Sequence, residues 1–537
     1  MKLIIAIFLQ CLFIISSCLA DAPAKRPNVL FLFADDWGRH ASAYAKIDGP
    51  GSVNDVIKTP NFDAVASEGV LFRSAFVSAP SCTPCRSALF SGQHFWRCGR
   101  GSILLGAIWD GSNVSFAEEL NKSGYEIGVT YKAWSPGKPN NAPIGGNKFA
   151  FNGGGQFNQF SQTVTNLVEN GKPVEDAKAQ VLKQGTDNFE KFLSQRPTEK
   201  PFFYWFGPTN VHRKWTRGSG KALWGIEPDG LKGKLPPFLA DVPEVREDLT
   251  DYFGEAQAFD AAIGMLVDRL KQTGELENTI IIISGDHGAP GFPHGKCNLY
   301  DFGSSVPLAI RMGSEIGAGK PGRVIDDLVS LTDLAPTILE VASLDAPTAM
   351  TGRSLMNILK ADVSGQVEAT RDAVYIGRER HVDSARADYM PYPQRAIRTK
   401  DFLYIMNFKP ERWPLGDPYQ LNSDGKIDPK QVQENTLVTL PDEDAGPAKA
   451  WLVANRKTKR WKELFELAYG RRPPEELYDL KKDPHQVNNV ALDKSYTDVL
   501  IKLHDRLWEE LKRTSDPRLV EDGKFFETPP MSGPAGQ

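Results

Sequence analysis

The chain of 537 residues is too long for one small core, and its composition, 41% hydrophobic and 24% charged, is that of a globular protein with one large and one smaller domain. A formal net charge of −4 excludes any global attraction to nucleic acid, so affinity for an anion must be local. Six cysteines, at 11, 18, 82, 85, 98 and 297, are no disulfide scaffold; the four beyond the first twenty residues allow at most two bridges.

Residues 1–20, MKLIIAIFLQCLFIISSCLA, set one early lysine before a short apolar run and small residues, the layout of a secretory signal peptide. The mature protein would begin near Asp21 and be exported, periplasmic or secreted. A second reading takes Ile15-Ser16-Ser17-Cys18 as a lipobox, which would leave Cys18 lipid-anchored, as in an outer-membrane lipoprotein. No later stretch supplies the roughly 20 apolar residues of a transmembrane span.

Three apolar runs read as buried strands: Val29–Ala34 (VLFLFA), Phe202–Phe206 (FFYWF) and Ile280–Ser284 (IIIIS). Between the second and third, Phe259, Ile263, Leu266, Val267 and Leu270 recur at helical spacing. Strand and helix alternate, which predicts an α/β domain with a mainly parallel sheet and a ligand site beyond the carboxyl ends of the strands. Residues 135–160, rich in Gly, Pro and Asn, read as a long surface loop. After about Gly377 the pattern changes. RAIRTKDFLYIMNF (395–408) alternates like strands of a smaller sheet, 451–469 reads as one basic helix, and ELYDLKKDPHQVNNVA (476–491) leads into a final helix. The expected division is a catalytic domain over 27–380, a smaller C-terminal domain over 381–515 and a tail over 516–537.

Asp35 and Asp36 follow the first strand; alone, they would read as helix-capping residues. The third strand ends in SGDHG, which sets Asp286 and His287 at the same edge of the sheet. Three carboxylates and one imidazole suit a hard divalent cation such as calcium, magnesium or manganese better than structural zinc, which recruits thiolates. His212, just past FFYWFGPTNV, stands at another strand end. Cys82-Thr83-Pro84-Cys85 could be a redox dithiol or two inert thiols, but no small thioredoxin-like unit surrounds it.

Cys82-x-Pro84-x-Arg86 followed by SALFSG resembles the signature of formylglycine-dependent sulfatases. NVLFLFADDWG, TPNFDAVASEGVLFRSAFVSAPSC, SGDHG, SLTDLAPTILEVA and ELYDLKKDP are similar to segments of that family in the same order, over roughly residues 27–515. GAPGFPHGKCNLYDFGSSVPLAIR, YPQRAIR and ELYDLKKDPHQVNNVA are most similar to its sulfamidase-like members. The resemblance implies an alkaline-phosphatase-like fold and an enzyme that removes sulfate from a sulfated mono- or oligosaccharide. It implies a formylglycine made from Cys82 by a formylglycine-generating enzyme before folding, and one divalent cation, Ca2+, on Asp35, Asp36, Asp286, His287 and the modified Cys82. One hydroxyl of the aldehyde hydrate would attack sulfur and the other would collapse to release sulfate. Arg86 would hold residue 82, Lys132 and Lys296 would face the sulfate, and His212 would protonate the leaving group.

Two positions depart from the pattern: Trp134 stands where the family has a histidine two residues after the lysine, and Cys85 stands where serine or alanine is common. Lys296 replaces the arginine of sulfamidases, which keeps an O-sulfatase on a polysaccharide open beside N-sulfoglucosamine cleavage. An inactive relative that binds sulfated glycans and a phosphohydrolase of the same superfamily are further readings. Weaker substrate candidates are His94, which like Lys132 could take the place of the absent histidine, Trp215 as a stacking face for a sugar, and Arg378 and His381 as cleft cations.

Overall fold

The computed structural model describes residues 25–109, 111–138, 144, 148–422 and 427–536. The leader with Cys11 and Cys18, and with it the lipid-anchor reading, lies outside the described residues. In chain order the elements that build the site and its support are β1 (Asn28–Ala34), β2 (Val70–Phe72), α1 (Cys82–Ser91), β3 (Glu126–Tyr131), α2 (Val174–Gln195), β4 (Phe202–Gly207), α3 (Pro243–Gln272), β5 (Thr279–Gly285), β6 (Leu308–Met312) and β7 (Arg323–Ile325). The C-terminal part follows with β8 (Ala373–Arg378), β9 (Gln394–Thr399), β10 (Phe402–Asn407), α4 (Pro447–Asn455), α5 (Lys459–Tyr469), β11 (Glu475–Asp479) and α6 (Thr497–Arg513).

Seven strands form one mixed sheet in the order β3-β4-β1-β5-β6-β2-β7. β3, β4, β1 and β5 run parallel, and β6 is antiparallel to both its neighbours. The continuous apolar runs of the sequence follow from burial on both faces of this sheet. The pleat turns Val29, Phe31 and Phe33 of β1 into one core cluster and Leu30, Leu32 and Ala34 into the other. β5 divides likewise, with Ile280 and Ile282 on one face and Ile281 and Ile283 on the other. α3, thirty residues long, packs with α2 on the second face, whereas α1 lies on the first through Cys85, Ala88, Leu89 and Phe90. Every residue of α1 is buried, so both its cysteines sit inside the protein.

β8, β9, β10 and β11 make a separate antiparallel sheet. α6 lies on it through Leu503, Leu507 and Leu511, spaced one turn apart, and these residues share a core cluster with α1. One expectation is corrected here, that of a single helix over 451–469, and two others gain detail. The smaller sheet begins at Ala373, so Arg378 closes its first strand. The stretch expected to be one helix over 451–469 is two, α4 and α5, because the chain turns at 456–458 between them. The expected tail is packed: Phe526 and Met531 are buried, and Asp516 takes a bidentate pair from Arg395 at 2.6 and 3.0 Å. Those apolar side chains join the core cluster that holds α6 and Ile397, Tyr404 and Leu477 of the C-terminal sheet, which removes them from water. All four described cysteines are unbridged and buried.

Candidate active site

The parallel strands β3, β4, β1 and β5 are neighbours, so the residues just past their carboxyl ends share one edge of the sheet. Lys132 follows β3, His212 lies five residues past β4, Asp35 and Asp36 follow β1, and Asp286 and His287 follow β5. The first residue of α1 supplies Cys82 to the same place. Its Sγ lies 3.3 Å from His287 Nε2 and 3.9 Å from Asp36 Oδ1.

The backbone beneath this cluster is tightly constrained. Asp36 has φ +60°, in the left-handed region that few non-glycine residues occupy. Its N–H donates to Asp286 Oδ1 at 2.7 Å and its carbonyl accepts from the Tyr252 hydroxyl at 3.0 Å, so the neighbouring elements hold the conformation. Asp286 and His287 stand between two glycines that must be glycine. A Cβ on Gly285 would lie 2.1 Å from the Trp37 carbonyl oxygen, and one on Gly288 would lie 1.9 Å from that of Phe302.

Arg86, one turn along α1 from Cys82, is fully enclosed. Its Nε donates to Asp286 Oδ2 at 3.0 Å and one terminal nitrogen to Asp35 Oδ1 at 3.0 Å. The other terminal nitrogen meets the carbonyls of Lys132 and Ala133 at 3.2 and 3.0 Å. A single guanidinium thus ties α1 to three strand ends. Lys132 Nζ donates to Asp35 Oδ1 at 2.6 Å, and Lys296 Nζ to Asp36 Oδ2 at 3.1 Å. Burial alone would raise the Asp35 carboxyl, but Lys132 and then Arg86 hold it well below the usual range. Burial opposes charge on Lys296 too, yet Asp36 and Asp444 keep its ammonium above the ordinary value.

Burial, then the charge of Asp35, pushes the Cys82 thiol well above its usual range, and burial does the same to Cys85. A redox dithiol needs a depressed thiol, so this environment opposes the redox reading.

Asp36, Cys82 and His287 each offer one ligand atom within 4.8 Å of the others, as do Asp35, Cys82 and Asp286, and Asp35, Asp36 and His212. The donor set fits a hard divalent cation: His287 Nδ1 faces the Gly288 carbonyl at 3.2 Å, which assigns the proton to Nδ1 and turns the Nε2 lone pair toward Asp36 Oδ1 at 3.2 Å. A lone pair beside carboxylate oxygens is the arrangement of co-ligands.

His212 Nε2 lies 3.7 Å from Asp36 Oδ2, while its Nδ1 donates to the Arg213 carbonyl at 2.6 Å. Arg213 itself, in a stretch the sequence offers as cations near the cleft, is instead a structural hub. It forms a fork with Asp248 of α3 at 2.8 and 2.8 Å, donates to the Pro290 carbonyl at 2.8 Å, and stacks 4.1 Å over the ring of Trp215. Trp215 is therefore a half-buried wall under the His212 loop.

The remaining expected residues divide. His381 joins the cluster: its Nδ1 lies 2.8 Å from the hydroxyl of Ser81, the residue before Cys82, and burial pushes its pKa down to about 3. Arg378 is buried and committed elsewhere, to the Cys297 carbonyl at 2.7 Å and Asp442 at 2.5 Å. His94 lies beyond the far end of α1, paired with Glu510 at 2.8 Å and stacked on Trp96, and so is not brought to the site. Trp134 is buried with its Nε1 on the Ser87 hydroxyl at 2.9 Å, a packing role. Asp444, which sequence reasoning missed, enters from the loop before α4 and sets its Oδ2 3.3 Å from Lys296 Nζ. A cavity of about 550 Å³ lined by residues including Arg39, His40, Phe238, Arg398 and His485 contains none of the Cys82 cluster.

Among known protein families, that described as sulfatase matches residues 27–344, and that described as N-sulphoglucosamine sulphohydrolase, C-terminal, matches residues 288–436. The chain is 27% identical to human N-sulphoglucosamine sulphohydrolase over 530 residues, covering 92% of this chain and 91% of that protein. It is 24% identical to an ulvan-active sulfatase of Formosa agariphila, covering 94% and 77%. A solved structure of a protein in complex with its substrate D-glucosamine-2-N,6-O-disulfate superposes with a TM-score of 0.61 at 18% identity, over 93% of this chain and 100% of that one. A phosphonate monoester hydrolase from Silicibacter pomeroyi shares the fold with a TM-score of 0.58 at 18% identity, over 92% and 97%.

Proposed function

The chain belongs to the sulfatase family and is a sulfate ester or sulfamate hydrolase; from that premise we propose that it removes the sulfate of N-sulfoglucosamine units, through a formylglycine at position 82 and one calcium-like cation. The observation that carries this reading is the meeting of Cys82 with Asp35, Asp36, Asp286 and His287 at one strand edge, with Lys132, Lys296 and His212 around them.

Cys82 Sγ stands in for the oxygen that the hydrated aldehyde would carry. When bound, the cation lowers the pKa of that oxygen and takes up charge on the sulfate. Lys132 and Lys296 bring fixed positive charge to the sulfate oxygens, in a site where enclosure strengthens each interaction. His212 holds its proton on Nδ1 against the Arg213 carbonyl, so Nε2 is the atom that exchanges a proton with the leaving group. Arg86 orients Asp35 and Asp286 and is a positioning residue. No imidazole occupies the Trp134 position, and His381, beside Ser81, is the histidine that stands in its stead near residue 82.

Cys82 is 2% exposed, so a formylglycine-generating enzyme must act on the chain before it folds. The leader layout of residues 1–20 supports export, where sulfated polysaccharides would be met. Among the described residues no helix is long and apolar enough to cross a membrane.

The test joins mass spectrometry of the tryptic peptide 74–86 to a panel of N-sulfo sugars, O-sulfo sugars and phosphate esters. An aldehyde at position 82 with sulfate released from N-sulfoglucosamine is expected. Turnover of O-sulfates alone would favour the second reading, which Lys296 in place of arginine and the ulvan-active relative support. An unmodified thiol without sulfate release would leave a glycan-binding relative, and preferred phosphate turnover a phosphohydrolase.

A further inference from the structure

Asp442, Glu443 and Asp444 are consecutive acids before α4, and the fold gives each a different partner. Asp442 turns inward, where its Oδ2 accepts from Arg378 at 2.5 Å and Arg386 at 2.8 Å and its Oδ1 from the Val382 N–H at 2.9 Å. Glu443 accepts from the Tyr469 hydroxyl at 2.7 Å, and its main-chain carbonyl accepts from Lys449 at 2.6 Å. On the other side, Gly446 lies against Arg213, where a Cβ would be 2.5 Å from the guanidinium carbon.

Pinned at both ends, the loop delivers Asp444 to the Lys296 side of the cluster. Its Oδ2 is enclosed beside Lys296 without a hydrogen bond of good geometry, while the side chain keeps 19% exposure through its other atoms. Burial would raise its carboxyl, but Lys296, then His212 and His381, hold it below the usual range.

Resting on the reading of this site as a sulfate site, we infer that Asp444 is a specificity-determining residue that selects sugars carrying no second anionic group beside the scissile sulfate. The charges carry the argument. Arg86, Lys132 and Lys296 face Asp35, Asp36, Asp286 and Asp444. With a divalent cation bound and the imidazoles neutral, the site has one net positive charge, matched to one sulfate monoanion. Without Asp444 it would have two, and would suit a doubly charged sugar. A carboxylate at the rim also repels a neighbouring sulfate or uronate at close range.

The experiment measures binding of glucosamine 2-N-sulfate and glucosamine 2-N,6-O-disulfate, in calcium, to the full chain with Cys82→Ala, and to the same chain with Asp444→Asn. The preference for the monosulfate should fall about tenfold in the Asn form, about 1.4 kcal/mol, and Asp444→Glu should restore it. In the parent the preference should also shrink as salt is raised, a readout that needs no second variant. A preference unchanged within about twofold by Asp444→Asn, one indifferent to salt, or no binding of either sugar would overturn the inference. Failure of the catalytic reading is separate: aldehyde-bearing wild-type protein would release no sulfate while the binding ratio stays readable.

Discussion

Replacing Arg86 by methionine tests whether this residue is the electrostatic keystone of the site. The substitution keeps much of the side-chain length but removes, in a place closed to water, the charged donor that Asp35 shares with Lys132, that Asp286 shares with the Asp36 N–H, and that the Lys132 and Ala133 carbonyls accept from. Removing one partner of a buried ion pair costs about 3–5 kcal/mol. An unfolding entropy of roughly 2 cal/mol/K per residue over some 500 residues converts this to a melting point lower by about 3–5 °C, if the chain unfolds as one unit. Scanning calorimetry in chelator reads the shift. Arg86→Lys should lose less, because it keeps the charge but cannot span β1, β5 and the Lys132 carbonyl together. A shift below about 1 °C in Arg86→Met would refute the reasoning, since it would mean that the two carboxylates are satisfied without the guanidinium.

Calcium at a hundred times its Kd should stabilise the wild-type chain by about 2.7 kcal/mol, and Asp36→Asn should abolish most of that thermal shift. Glu255 is buried beneath the His212 loop, accepts from Asn210 at 3.0 Å and from the Ser161 N–H at 3.1 Å, and is pushed up to about 7 by burial. Below about pH 4.5 its contribution is fully present. Between 4.5 and 7 only the unfolded chain releases the proton, so stability falls with rising pH by up to roughly 3 kcal/mol. Denaturant melts of Glu255→Gln should lack this slope and exceed wild type above pH 7. His94→Gln should leave sulfate release within about twofold, because that ring pairs with Glu510 at the far end of α1, while costing about 1 kcal/mol of stability; a large kinetic loss would contradict the placement.

Much of the fold was legible in the sequence because the runs at 29–34, 202–206 and 280–284 are buried on both faces, and a strand so placed tolerates few polar residues. The polar residues that end them were legible for the same reason: Asp35, Asp36, Asp286 and His287 interrupt apolar runs. Local periodicity could not separate α4 from α5, since the turn at 456–458 carries no proline or glycine. The residues called a tail were polar enough to look free, and only the cluster that α6 shares with the C-terminal sheet makes Phe526 and Met531 core.

The chemical inventory was already written in the chain, from the Cys82 and Arg86 motif to the carboxylates at two strand ends. The strand order β3-β4-β1-β5, decided by tertiary packing, brought that inventory together. Asp444 shows the difference: among Asp442, Glu443 and Asp444 nothing local distinguishes one acid from the next. Their partners, Arg378, Tyr469 and Lys296, lie 64, 26 and 148 residues away in the chain. Each carboxylate takes its role from the charge the fold sets against it.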